Sequence, residues 1–188
     1  MNKRHRIFVA INLPESTKKK LADFEQKYAN VPAKWIPVDN LHITTLFLGD
    51  ITDQDLSLVC QAVKEVALRH NTFNVVLEKI AYGPEDKIPP RYIFASGQAL
   101  EPMQNIKKEL EDALFESINF KLDKNVFTPH VTLAKIKELE WRAIEPEERQ
   151  EVGEDIALTF TVESIEVMES QLKRGGPQYA VIESHFLQ

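Results

Sequence analysis

The chain has 188 residues, 28% of them charged and 43% hydrophobic, with a formal net charge of −6. That balance excludes a disordered chain, gives enough length for one well-packed domain and disfavours a protein that grips long nucleic acid through counterion release. A single cysteine, Cys60, rules out an internal disulfide framework, and no run approaches the ~18 apolar residues of a membrane span.

Residues 6–13 read as a strand, with Ile7, Val9, Ile11 and Leu13 on one face and Phe8, Ala10 and Asn12 on the other. The apolar stretch is too short for a signal-peptide core, so a cytoplasmic location is expected. A helix follows from Pro14-Glu15, with Leu21, Phe24 and Tyr28 as one stripe and Lys18-Lys19-Lys20 as a solvated face. Trp35 leads into a second strand, residues 41–49. Thr52 and Asp55 then form a capping box for a helix that buries Leu56, Val59, Cys60, Val63 and Ala67. Phe73, Val75 and Leu77 mark a strand that ends at Gly83-Pro84.

The proline-rich loop 83–90 reads as a seam, because the order of elements repeats after it. Residues 91–95 resemble residues 6–10 at an offset of 85, and Glu101 opens a helix with Met103, Ile106, Leu110, Ala113 and Leu114 on its apolar face. A further strand spans residues 127–134, and a helix over 138–150 is interrupted by Pro146. Phe160 and Val162 match Phe73 and Val75 at an offset of 87. The strand 160–168 switches apolar parity near Glu163-Ser164, as a bulge or bend would require. Residues 173–177 form a turn, the last strand follows, and His185 is read as a surface residue.

Two strands carry the chemistry. His42-Ile43-Thr44 and His130-Val131-Thr132 both read His-x-Thr inside apolar runs, and roughly 0.24 such matches are expected by chance. In a strand, residues i and i+2 share a face, so each segment offers an imidazole beside a hydroxyl. Two imidazoles at one cleft can divide acid and base work at neutral pH, while the two threonine hydroxyls donate to phosphate oxygens. A strained cyclic phosphate suits this machinery. The spacing leaves open which histidine is the acid. His-x-Thr lacks a second metal ligand at familiar spacing, so no metal or other cofactor is expected.

Arg6-Ile7-Phe8-Val9-Ala10 with Leu13-Pro14, Trp35 ahead of Asn40-Leu41-His42, Phe47-Leu48-Gly49, 129–134, and Ser170 with 176–179 cover nearly the whole chain. Together they resemble the two-histidine (2H) phosphoesterase superfamily, and within it the RNA 2′,3′-cyclic phosphodiesterases, also called 2′-5′ RNA ligases. The resemblance implies an α+β fold with two lobes. Two pseudo-twofold-related antiparallel sheets with flanking helices would enclose a central cleft, in one domain over 1–188 with halves of roughly 1–83 and 91–188.

It also implies metal-free hydrolysis of 2′,3′-cyclic phosphates to 2′-phosphates, with His42 as proton donor and His130 as proton acceptor. RNA ends or small cyclic nucleotides are the expected partners of a monomer, and reverse ligation is allowed. Thr45 and Lys135 depart from the family pattern, which commonly has an apolar residue and Arg there. Lys135 is a candidate phosphate contact that loses the bidentate fork of Arg, although strict alternation places it opposite His130. Phe8, Trp35 and Tyr179 are candidates to stack a base, with core packing as the alternative for each. A non-catalytic module that binds a nucleotide or RNA end in the same cleft, and a metal-dependent hydrolase, are the rival readings.

Overall fold

The computed structural model describes residues 4–118, 120–121, 127–174 and 176–188; Gly175 of the expected turn lies outside them. In β1 (Arg4–Asn12) the alternation holds: Ile7, Val9 and Ile11 enter the main core, while Phe8 and Ala10 form a small cluster with Met168 on the opposite face. Asp23 separates α1 (Glu15–Ala22) from α2 (Phe24–Lys27), so the stripe of Leu21, Phe24 and Tyr28 spans two short helices. Lys18 corrects the reading of its triplet as a solvated face. Lys19 and Lys20 are exposed, but Lys18 is buried. It lies three residues before Leu21 on the inward face, and its long stem carries Nζ to the carbonyl of Asp39 at 3.2 Å.

β2 (Ala33–Trp35) and a 3-10 turn at Val38–Asn40 precede β3 (His42–Thr52). The Thr52–Asp55 capping box starts α3 (Asp53–Ala67), and Cys60 is buried in that helix. Then follow β4 (Phe73–Gly83), β5 (Tyr92–Gly97) and α4 (Glu101–Leu114), which buries Met103, Ile106, Leu110 and Leu114 but exposes Ala113. β6 (His130–Ile136), α5 (Glu138–Arg142), a 3-10 turn at Pro146–Glu148, β7 (Gly153–Val162), β8 (Ser164–Lys173) and β9 (Gly176–Phe186) complete the order.

The strands run β7-β4-β5-β6-β3-β1-β8-β9, all neighbours antiparallel, with β2 added to β6. The two expected sheets, β3-β1-β8-β9 and β6-β5-β4-β7, are therefore present and join through one residue pair, Ile43 with Val131. Each histidine strand sits beside the first strand of its half, β3 beside β1 and β6 beside β5, which gives the pseudo-twofold α+β arrangement. α3 packs on β1 and β8, α4 packs on β3, and the two helices touch each other.

Four details differ from expectation. β4 lies between β5 and β7 while β8 lies beside β1, so the halves exchange strands across the sequence seam. Phe160 and Val162 are cross-strand partners of Val75 and Phe73, not their symmetry mates; alternating β-branched and aromatic residues mark pairing strands as readily as repeated ones. The parity switch is neither bulge nor bend within a strand: β7 ends at Val162, β8 begins at Ser164, and Glu163 alone lies between the edge strand β7 and β8, the neighbour of the opposite edge strand β9. The offset of 85 is also one residue out. Ala10 faces Thr44 and Phe94 faces Thr132, an even offset that maps core residues onto core residues.

Candidate active site

His42 and His130 begin β3 and β6, the two strands that meet at the centre of the sheet. A cleft of about 420 Å³ is lined by both histidines, Thr44, Thr132, Lys135, Asn40, Ile36, Tyr92, Phe94, Pro177 and Tyr179. The expected imidazole and hydroxyl pairs thus converge on one space.

Main-chain carbonyls orient both rings in the same way. His42 Nδ1 lies 2.7 Å from the carbonyl of Asn40, and His130 Nδ1 lies 2.8 Å from the carbonyl of Thr128. A carbonyl only accepts, so each Nδ1 carries a proton and each Nε2 is the nitrogen left to accept one. His42 Nε2 is 3.0 Å from Thr44 Oγ1, so in the neutral ring the threonine hydroxyl donates to it. Aromatic rings hold the imidazoles from the side: Phe8 and Tyr179 lie 5.0 Å from His42, Tyr179 edge-on, and Phe94 lies 4.5 Å from His130. Gly83 makes room for Phe94, since a Cβ there would come within 2.4 Å of its ring.

Asn40 ties the far strand to the site. Its side chain is buried, its Nδ2 donates to the Pro177 carbonyl at 2.9 Å, and its Oδ1 accepts from the Tyr179 amide at 3.2 Å. β9 is three strands away from β3 in the sheet, so these two bonds fix the wall that Tyr179 forms over His42. The pKa of His42 is lowered from its ordinary value. Burial is the main cause, the like charges of Lys18 and His130 add to it, and the hydrogen bond to Asn40 opposes it.

A one-residue bulge follows the threonine in both strands. Val9 pairs with Leu46 and Ala10 with Thr44, skipping Thr45; Ile93 pairs with Ala134 and Phe94 with Thr132, skipping Leu133. Two consecutive side chains, Thr45-Leu46 and Leu133-Ala134, therefore enter the core, and parity shifts beyond them. This corrects the alternation argument for Lys135. The bulge returns it to the face of His130, where it lines the cleft.

Among the aromatic candidates, Tyr179 lines the cleft and is half-buried. Phe8 is buried beneath the His42 and Tyr179 rings, where it packs instead of offering a stacking face. Trp35 is not brought to the cleft: it pairs with Ala134 in β2 and lines a separate recess of about 260 Å³ with Leu21 and Leu133. Sequence reasoning missed Tyr92, Phe94 and the buried cation Lys18 as neighbours of the site. The two rings had a readable signal, since they alternate out of step with buried Ile93 and Ala95. Among the described residues, no group of three or more His, Cys, Asp or Glu side chains is arranged to hold a metal ion, and no helix is long and apolar enough to cross a membrane.

The profile of the 2′-5′ RNA ligase superfamily matches residues 13–174, and the chain belongs to that superfamily. An RNA 2′,3′-cyclic phosphodiesterase of Methanocaldococcus jannaschii is 27% identical over 178 residues, covering 94% of this chain and 98% of that one. The crystal structure of TT0787 from Thermus thermophilus superposes with a TM-score of 0.84 at 28% identity, covering 97% of each chain. E. coli LigT complexed with 3′-AMP gives 0.79 at 19% identity over 99% of each chain, a likeness of fold.

Proposed function

We propose that this protein hydrolyses 2′,3′-cyclic phosphates at RNA ends or on small nucleotides to 2′-phosphates, with His42 as the acid and His130 as the base. The observation that carries the reading is the shared orientation of the two rings. Each Nδ1 is committed to a carbonyl two residues upstream, and each Nε2 is left for the one cleft that also holds Thr44 and Thr132. The naming of relatives as RNA 2′,3′-cyclic phosphodiesterases supports the substrate class.

In this mechanism water attacks phosphorus while His130 Nε2 takes its proton. The bond from phosphorus to the 3′ oxygen breaks, and that oxygen takes a proton from His42 Nε2, leaving the phosphate on the 2′ oxygen. A lowered pKa keeps His42 neutral in the empty cleft, but an anionic phosphate beside it restores the protonated form. Once Nε2 carries a proton it no longer accepts from Thr44, whose hydroxyl is then free to turn to a phosphate oxygen. Thr132 and Lys135 complete the anion site from the other strand.

The whole chain is read as one phosphoesterase unit that works as a cytoplasmic monomer, with ligation to a 5′-hydroxyl as the reverse reaction. The pH dependence of hydrolysis of a cyclic-phosphate-ended oligonucleotide, with and without EDTA, tests this. A bell-shaped profile that EDTA leaves unchanged is expected; a flat rate across about pH 5–9 contradicts acid and base work by two imidazoles.

A further inference from the structure

We propose that the groove running from His42 towards Arg4 is a second nucleotide subsite, built to hold the phosphodiester and base immediately upstream of an RNA strand's cyclic end. The identity of that end rests on the hydrolase reading above. The groove has a volume of about 620 Å³ and shares His42, Thr44, Pro177 and Tyr179 with the cleft, so a ligand crosses from one to the other without leaving the protein surface.

Its chemistry is that of a single-strand binder. Arg4, Arg6 and Phe8 share the face of β1 that looks into the groove, and strand geometry spaces the two arginines about 7 Å apart, on the scale of one nucleotide step. Arg6 lies over the Phe47 ring at 5.3 Å, and Arg4 donates one hydrogen bond to the Asp50 carbonyl at 3.2 Å. Neither partner neutralises the guanidinium, and each arginine has five N–H donors. Phe47 is 47% exposed on the groove wall, where its ring can take a stacked base. Glu169, the partly buried carboxylate of the groove, is turned to His5 at 2.6 Å and Gln171 at 2.7 Å, while exposed Asp50 accepts from Arg4 through its carbonyl.

The backbone itself produces this face. The bulge at Thr45 and a second at Leu48 move the groove-facing positions of β3 from His42 and Thr44 to Phe47 and Asp50. In β6 the position that answers Phe47 is Lys135, and in β5 the positions that answer Phe8 and Ala10 are Tyr92 and Phe94. Lys135 on one side of the pseudo-twofold thus adds a charge at the reacting phosphate, and the other side has the arginines and the ring to hold what precedes it.

The test compares native protein with Arg6→Ala, Arg4→Ala/Arg6→Ala, Phe47→Ala and Arg6→Lys. Affinity is measured by fluorescence anisotropy for a labelled tetranucleotide ending in a 2′-phosphate, across a salt series, and kcat/KM is measured for 2′,3′-cyclic AMP. Each alanine variant is expected to weaken tetranucleotide binding about three- to tenfold, and the double variant to lower the salt slope by roughly 0.7 for each phosphate no longer neutralised. Cyclic AMP turnover should stay within about twofold of native, and Arg6→Lys should retain most of the salt slope. Equal losses on the mononucleotide, or an unchanged slope, overturn the subsite. Arginine-dependent binding without turnover of any cyclic phosphate would instead support the subsite and count against the hydrolase reading.

Discussion

Thr45 and Leu133 occupy the same bulged position, one residue after the threonine of each His-x-Thr strand, and both side chains are buried. The two halves solve one geometric problem alike: the bulge turns the strand so that the residue two places further on, Phe47 or Lys135, returns to the face of the histidine. They differ in chemistry. Among the described residues, the Thr45 hydroxyl has no hydrogen-bond partner, where Leu133 fills the same kind of space with carbon. Replacing Thr45 by Val keeps the shape and removes the buried hydroxyl, so the unfolding free energy should rise by about 1 kcal/mol in urea denaturation. A loss of stability would mean that the hydroxyl is satisfied.

Lys135 reaches the cleft only because of the bulge at Leu133. As a point charge on a flexible stem it should hold phosphate without fixing its orientation. Lys135→Ala is expected to raise KM for a cyclic phosphate about tenfold with a smaller effect on kcat, and Lys135→Arg to restore KM. Steady-state kinetics on 2′,3′-cyclic AMP check this; equal KM values in all three proteins would remove Lys135 from the anion site.

Burial and two like charges hold the His42 pKa below its ordinary value in the empty protein. Lys18→Met removes one of those charges while keeping the stem, so the pKa should move up towards the ordinary value. Adding inorganic phosphate to native protein should move it up as well, because an anion at the cleft favours the imidazolium. Histidine NMR titrations read both shifts. Absence of any rise with phosphate would favour exchanging the roles, with His42 as base.

The same lowered pKa has a sign in stability. The unfolded chain takes up a proton on His42 near its ordinary value, about 6.5, before the folded protein does. Between that value and the lower folded pKa the unfolded state binds more protons, so stability falls as pH falls through this window and levels off below it. His42→Gln should flatten that part of the stability profile. An unchanged slope in the variant would show that other groups set it.

Much of this is legible in the chain because it depends on local rules. The i, i+2 geometry of a strand pairs each imidazole with its hydroxyl, and the Thr52–Asp55 capping box marks α3 from side-chain chemistry alone. The rest needs tertiary knowledge. A bulge leaves no mark in residue type, so alternation puts Lys135 on the wrong face. Lys18 resembles its exposed neighbours Lys19 and Lys20, and only the Asp39 carbonyl at the end of its stem distinguishes it. Trp35 precedes the His42 strand in sequence, but β2 pairs with β6 and turns the ring away from the cleft. The exchange of β4 and β8 is a matter of pairing partners, which alternation does not specify.

The most direct test of the paired-histidine mechanism is phosphorus NMR of 2′,3′-cyclic AMP incubated with native protein, His42→Ala and His130→Ala. The mechanism predicts a single 2′-phosphate product from native protein and a rate lowered by about 10²–10⁴ in each variant. A 3′-phosphate product, or near-native turnover by either variant, would contradict it.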